Sequence, residues 1–547
     1  MKIRWIFPIV VAIFLTGCFD SDNGSNSADH LIADFSTLEN NNIFVTHYTV
    51  EDNEYIFHFE DGRTFKFFVD DITSVTEDLT NNKLTIVVNA DSSITVSYLK
   101  NYTLEIPDSA ITLNPTGYCP LCASINIETQ ISGIIHFRII SKNNIADFEH
   151  QFSDVTANHQ VPILGLYNNY PNEIEISFLN NHGNVRASKI VTIVTTDNEH
   201  NNASVSLVNY PDNIPRFFFL STFQAFDQSG ELRWIYTNPL AGRIYRQLDN
   251  DHLLIDGTRG YIYHRRELLE IDMLGNEIGR YTVPNQTHHD AIQLPNGNFL
   301  VASNSTDPVN GNDGLPEEDY IVEISKQTGL VISSWDLNNI VDPTRQMLQG
   351  ISRNDDWAHL NSIEYDPSDD SIIVSLRNQS AVIKFDKTTS ALKWIIGAHN
   401  FWVQPFTSSL LEPINFGANV ADWNFGQHHA TLLPNGNILM HDNGNYRSFS
   451  PDADLRTYTR AVEYKIDEEN KTIEQVWEYD FNREIFAAGL GAASYEHSTG
   501  NRTISSADNN GFTRFVEVTG EINPSLIFEM NITDERIYRI QKHPLYR

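Results

Sequence analysis

Three stretches of the chain place histidine just before or at the start of a short apolar strand. Phe425–Gly444 reads FGQHHATLLPNGNILMHDNG, Thr287–Ser303 reads THHDAIQLPNGNFLVAS, and Ala358–Asn378 reads AHLNSIEYDPSDDSIIVSLRN. In the first two, a histidine pair leads into a strand, a Pro-Asn-Gly-Asn turn reverses the chain, and a second strand returns. The third keeps His359, adds Asn361 two residues later and carries Arg377 after the return. The candidates are therefore His288, His289, His359, His428 and His429, with Asn361 and Arg377. Imidazoles ligate zinc and copper well. Here, however, the third partner of a catalytic metal site is not apparent and Arg377 would repel a cation, so no metal is expected. Imidazoles, an amide and a guanidinium suit an anion better. They donate hydrogen bonds to a tetrahedral oxyanion, and neutral imidazole serves as nucleophile or base near neutral pH.

A lone histidine beside a strand is ordinarily structural. Three repeats with histidine at one position point to a shared site. Which histidine of each doublet faces that site stays open, because a one-residue slip of register reverses the side chain. Alignment on the PNGN turns pairs His289 with His428. Alignment on the third repeat pairs His288 with His359 and Asp290 with Asn361.

The elements that must position these residues are themselves repetitive. Six segments share a strand, a turn and a strand that often ends in an aromatic: FQAFDQSGELRWIY from Phe223, LEIDMLGNEIGRY from Leu269, IVEISKQTGLVISSW from Ile321, VIKFDKTTSALKWIIG from Val382, AVEYKIDEENKTIEQVWEYD from Ala461, and FVEVTGEINPSLIFEM from Phe515. Trp234, Trp335, Trp394 and Trp477 fall at equivalent places. Between these segments lie other hairpins, and a further one closes if Arg216–Leu220 joins strands near the C-terminus. Repeats of this length built from two hairpins are the mark of a β-propeller blade, and long 3.6-residue periodicity is absent. The expected fold is all-β, with a six-bladed β-propeller over residues 206–547 whose innermost strands converge on one axis.

The 547 residues leave room for more than a propeller. Lys2 and Arg4 precede the apolar run Ile6–Leu15, which is too short to span a bilayer and reads as a secretory signal over residues 1–17. Leu15-Thr16-Gly17-Cys18 resembles a bacterial lipobox, so cleavage before Cys18, its lipidation and anchorage in the outer membrane, on the periplasmic side or at the cell surface, are expected. Residues 18–43, rich in Ser, Asn and Asp, read as a flexible tether. Short alternating runs then give a small β module over 44–110 and an N-terminal β domain over 111–205, both sandwich-like. Loss of residues 1–17 removes Lys2 and Arg4 and takes the net charge from −34 to −36, which argues against a nucleic-acid partner. The chain has three cysteines, too few for a four-cysteine zinc site, and in an exported protein Cys119 and Cys122 are expected to form a local disulfide.

The histidine segments, above all DWAHLNSIEYDPSDDSIIVSLRNQSAVIKFDKTTSALKWIIG from Asp356 to Gly397, resemble the bacterial arylsulfotransferase family, enzymes that work without a nucleotide sulfate donor. NPTGYCPLCA at Asn114–Ala123 is similar to that family's N-terminal β segment, whereas residues 19–110 are an addition. The resemblance implies a periplasmic six-bladed propeller, a homodimer and no cofactor. It implies a phenolic sulfate donor and a phenol acceptor, with ping-pong transfer through a sulfo-histidine at His428, or failing that His429. By the same resemblance His288, His289, His359 and Arg377 complete the catalytic group, and Asn361, His429 and Ser494, the last matching a hydroxyl residue of the family site, help bind substrate. Two rivals remain at this stage. A quinoprotein dehydrogenase is suggested by FDQSGELRWIY but would call for eight blades and an acidic calcium site. A non-catalytic propeller that binds sulfated aromatics would need no poised nucleophile. Trp357, Phe425 and Tyr495 are candidates to stack on an aryl ring.

Overall fold

The computed structural model describes residues 33–547 apart from 258–265, 305–318, 349–355, 450–456 and a few shorter gaps. The expected signal segment, Cys18 and most of the expected tether lie outside the described residues. Among the described residues strands carry nearly all the regular structure, joined by 3-10 turns of three or four residues.

Among the described residues, six sheets of four or five strands lie between Asn202 and Lys542, antiparallel throughout except where the short strand Glu412–Pro413 joins one of them in parallel. One edge strand of each faces a common centre. In chain order these are β1 (Ala241–Gln247), β2 (Thr287–Gln293), β3 (Leu360–Asp366), β4 (His428–Leu432), β5 (Ala492–Tyr495) and β6 (Ile540–Lys542). Each sheet is covered on both faces by its neighbours, which is why middle strands such as Phe217–Leu220 and Ser371–Leu376 are buried along their whole length. The expected closure is present. Phe217–Leu220 pairs with β6, and Asn202–Val208 pairs with Leu526–Thr533, so the two ends of this region share two sheets.

Side chains lace each sheet to the next in one direction. At the outer edge, the indole N–H of Trp234 donates to Met273 O at 2.8 Å, Trp335 to Lys387 O at 2.9 Å and Trp394 to Glu468 Oε1 at 2.9 Å, each partner belonging to the following sheet. Trp477 departs from this pattern and carries the Arg502 guanidinium over its ring at 5.3 Å. Near the centre, Asp290 Oδ2 accepts from Ile363 N at 3.1 Å, Ser362 Oγ from Ala430 N at 3.0 Å, and His429 Nδ1 meets Ala493 O at 2.9 Å. Gly491 N donates to Tyr538 O and Arg539 Nη1 to Tyr245 O, which brings the succession back to β1. The architecture is all-β and propeller-like.

Ahead of this region, a sheet centred on the long strand Ala123–Ile139 runs to Val194. The loop holding the Cys119–Cys122 disulfide docks on the propeller-like region through Thr116 Oγ1 to Leu274 O at 2.7 Å and Thr237 N to Tyr118 O. Residues 45–97 form two three-stranded sheets around Phe57, Leu84, Ile86 and Val96. Two boundaries drawn from sequence need correction. The tether does not extend to residue 43, because residues 35–38 are helical and Phe35 and Leu38 are packed into that small core, where burial outweighs the polar composition around them. The propeller does not begin at residue 206, because that position falls inside the strand Asn202–Val208, whose partner is Leu526–Thr533.

The small module is held to the next domain by Glu60, whose carboxylate takes two hydrogen bonds from the Arg186 guanidinium at 2.9 and 3.0 Å, with both side chains buried. Removing one partner of a buried pair leaves the other charge uncompensated, at a cost of about 3 kcal/mol or more. Glu60→Ala should therefore lower the first thermal unfolding transition and expose residues 45–97 to protease while the rest resists. An unshifted transition would show that the contact contributes nothing.

Candidate active site

Strand pairing decides between the two alignments left open by the sequence. Ile292 pairs with Leu300, Glu364 with Ile373 and Thr431 with Leu439; each of these partners pairs in turn with the residue just before a bulge, Glu323, Lys384 and Glu463. The shared register equates His289, Asn361 and His428, and one residue later Asp290, Ser362 and His429. The alternative that set His288 beside His359 and Asp290 beside Asn361 is off by one, because the Asp366–Ser371 turn is one residue longer than the PNGN turns. The second set of three is the inner lacing described above.

The two histidines of each doublet thus part company. His429 belongs to a buried ionic layer with Asp290, Arg246 and Arg539, which are the charges that bear on it. Its Nε2 is buried without a hydrogen-bond partner. His428 instead lies among Arg377, His359 and His441. In the other doublet, His288 Nε2 lies 2.8 Å from Ser303 O of its own sheet, while its Nδ1 lies 2.9 Å from His289 Nδ1, so His288 backs His289 rather than facing the centre itself. His289 faces the centre, with its ring 4.6 Å from that of His359 and 5.7 Å from that of Tyr538. His289 and His359 both have left-handed backbone, φ 49° and 50°, beside bulges that break the strict alternation of their strands.

Hydrogen bonds fix the proton on His428. Asn443 is fully buried, and its side-chain N–H groups donate to Ala487 O at 2.7 Å and Leu490 O at 2.9 Å. Its Oδ1 therefore accepts, and it lies 2.7 Å from His428 Nδ1. With Nδ1 carrying the proton, Nε2 carries the lone pair and accepts a hydrogen bond from Leu490 N–H at 3.3 Å, which substrate would have to displace. Burial, and then the Arg377 guanidinium, holds the His428 imidazolium well below its usual pKa, so the ring is neutral near pH 7. Arg377 is held by Asn378 Oδ1 at 2.9 Å and Ala488 O at 3.1 Å. His359 Nδ1 lies 2.5 Å from Asp356 Oδ2, a carboxylate suited to an imidazolium. Asn361 is buried, donates one N–H to Gln427 O at 2.8 Å and leaves Oδ1 without a partner.

The structure thus brings together His289, His359, Arg377 and His428, with Asn361 at the same register position as His289 and His428. It sets His288 and His429 back from that group, and no hydrogen bond joins Ser494, on β5, to any of them among the described residues. Trp357, Phe425 and Tyr495 pack in or against apolar clusters away from the centre. Tyr538, which the sequence reading missed, has its ring 6.2 Å from His428 and donates to Asn361 O at 3.2 Å. It precedes β6, the one inner strand supplied by the C-terminus, where no histidine flags the position. Asn443 was legible in principle. The same register that equates His289 and His428 equates Asn443 with Arg377 at the ends of the returning strands.

The fold and centre define a propeller-like β protein whose axis holds a neutral, tautomer-locked histidine beside a guanidinium. A model of the arylsulfotransferase (ASST) family matches residues 191–539 and one of the arylsulfotransferase Ig-like domain matches residues 110–196. The chain belongs to the arylsulfotransferase family. It is 25% identical over 483 residues to arylsulfate sulfotransferase AssT of Escherichia coli O6:H1, and 25% identical over 484 residues to AssT of Lelliottia amnigena, the alignments covering 68% of this chain and 80% of each relative. Among solved structures it is similar to the periplasmic gluconolactonase PpgL of Pseudomonas aeruginosa, with a TM-score of 0.33 and 11% identity over 70% of this chain and 98% of that one.

Burial also pushes the imidazolium of His441 down to about 4 and that of His543 to about 3, and it lowers His429. Each of these groups, like His428, takes up its proton more readily when the chain is unfolded. The stability they contribute is therefore complete above pH 6.5 and is lost as pH falls below it. Thermal midpoints should be level from pH 8 to 7 and fall steadily from pH 6.5 to 4.5, above the range where most carboxylates titrate. A flat profile over that interval would contradict the neutral, buried state of these rings.

Proposed function

We propose that this protein is an aryl-sulfate sulfotransferase that moves a sulfuryl group from a phenolic sulfate ester to a phenolic acceptor by a ping-pong route through His428. The observation that carries this reading is the locked tautomer of His428, a neutral imidazole whose Nε2 lone pair is presented beside Arg377. That both 25%-identical relatives are arylsulfate sulfotransferases supports it.

In this mechanism Nε2 of His428 attacks sulfur, forming the N–S bond as the bond from sulfur to the aryl oxygen breaks. The Nδ1 proton, shared with Asn443 Oδ1, stabilises the charge that develops on the ring. Arg377 and His289 bind the sulfuryl oxygens. His359, in the protonated form that pairing with Asp356 favours, gives its Nε2 proton to the departing phenolate and recovers one from the acceptor phenol in the second half-reaction. Positioning and fixed charge supply most of the rate, as in phosphoryl transfer. Aromatic leaving groups are favoured because phenolates leave and return readily near neutral pH.

The finer architecture is part of the same proposal. The six sheets are the blades of a six-bladed propeller, preceded by the Ig-like domain and the small module over residues 45–97. Residues 1–17 are a signal, and acylated Cys18 tethers the protein to the outer membrane. The acyl anchor would leave the catalytic domain in an oxidising compartment, which agrees with the disulfide.

Turnover of 4-nitrophenyl sulfate, followed as nitrophenolate release with and without phenol, tests this reading. Release should require phenol, and His428→Asn should abolish it. Asn443→Leu should keep the fold but lower kcat by about 10²-fold, because the ring is no longer held in one tautomer and orientation. Its sulfo-histidine, trapped without acceptor, should be lost in the same proportion. A folded protein that binds aryl sulfates and never transfers the group would instead be a binding module.

A further inference from the structure

We propose that Arg243 selects aryl sulfates bearing a second anionic group on the ring, such as a carboxylate or another sulfate. This rests on the sulfotransferase reading of the same centre and names its substrate class more narrowly.

Arg243 lies in β1, and its backbone N–H is pinned by the carboxylate of Asp256. Its guanidinium carbon sits 4.8 Å from the centre of the Tyr538 ring. That ring borders His289 and His428 at 5.7 and 6.2 Å, so Arg243 stands one aromatic ring away from the reacting nitrogen. An aryl group whose sulfate ester reaches His428 spans a comparable distance.

Its charge environment is unusual for this chain. Aspartate and glutamate number 71 against 37 lysines and arginines. Two other arginines near the axis are neutralised: Arg246 by Asp290 and Glu364, and Arg539 by Asp290. Among the described residues no carboxylate pairs with the Arg243 guanidinium, whose recorded side-chain contact is the Tyr538 face. A half-buried guanidinium on an aromatic face, beside a site for aromatic substrates, offers in-plane N–H groups to a planar anion and its own plane to the ring. The sulfuryl group itself is already served by Arg377 and His289. In an acidic protein, a cation that ends unpaired beside a substrate site is most simply paired by the substrate.

The test compares kcat/KM for phenyl sulfate with that for the sulfate esters of 3- and 4-hydroxybenzoate, in the wild-type protein and in Arg243→Gln and Arg243→Lys. Wild type should favour at least one carboxylated ester by about tenfold, the scale of one charge-assisted contact. Arg243→Gln should bring that ratio to about one, and Arg243→Lys should restore part of it. A wild-type ratio near one, or an equal loss for all three esters in Arg243→Gln, would overturn the proposal, the second result showing that Arg243 serves the transferred sulfuryl group. Binding of the same esters to His428→Asn, measured by calorimetry, keeps this separate from the reaction. Discrimination by charge without turnover in wild type would leave Arg243 with its role and remove the transferase reading. No discrimination in binding would remove the role of Arg243.

Discussion

Asp290 is fully buried and is shared among four of the six inner strands or their flanks. It lies in β2, accepts from Ile363 N in β3, and pairs with Arg246 of β1 and with Arg539, which leads into β6. Burial pushes its carboxyl up, yet the two guanidiniums outweigh this and hold it down at about 2. A carboxylate in that setting is costly unless every lone pair is used, and here they are used across sheets rather than within one. Inner strands of a propeller leave polar backbone and side-chain groups facing a narrow axis. This ion layer satisfies them and fixes the mutual heights of the strands. Glu364 shares Arg246 with Asp290, so two guanidiniums face two carboxylates and the layer carries no surplus negative charge toward the histidines.

The histidine layer depends on that floor. His289 and His429 flank Asp290 in chain and space respectively, so the register that seats Asp290 also turns His289 toward the centre and His429 away from it. Chemistry and scaffold are thereby separated by one residue of strand. His428, on the scaffold's other side, has its proton fixed by Asn443, an amide whose orientation is dictated by two backbone carbonyls. An aspartate there would place an uncompensated charge against those carbonyls and raise the basicity of the ring. The amide fixes the tautomer while leaving the imidazole neutral.

Much of this was legible in the sequence because the repeats carry it. The PNGN turns and three of the recurring tryptophans are local patterns that appear where strand-turn-strand logic places them, and the C-terminal closure follows from the strand left over once the repeats are counted. The histidines that converge were also legible as a set. The choice within each doublet was not, because it depends on a register that a turn one residue longer, at Asp366–Ser371, shifts against the other two. Tyr538 escaped for a different reason. Its place at the centre follows from pairing β6 with Phe217–Leu220, more than three hundred residues away in the chain, and no repeat marks it. Phe35 and Leu38 were hidden by their polar neighbours. Two apolar residues in a short helix suffice to seal a small core, although their window reads as linker.

The contrast between a net charge of −34 and a centre built for anions sets the terms on which any substrate is held. At physiological ionic strength the surface charge is screened within roughly 8 Å, so an anion approaching the axis feels mainly what lines it. Arg246 and Arg539 have their charge cancelled by Asp290 and Glu364 and act as structure. Arg377 is held by an amide oxygen and a backbone carbonyl, and the Arg243 guanidinium lies on the Tyr538 ring. On the proposed substrate class, selectivity turns on where the arginines sit rather than on how many there are. On the proposed route a neutral imidazole is the matching choice, because a charged one would have no lone pair to offer sulfur and an anionic one would repel the ester. The low basicity imposed on His428 by burial and Arg377 is the condition that lets an imidazole keep its lone pair so close to a guanidinium.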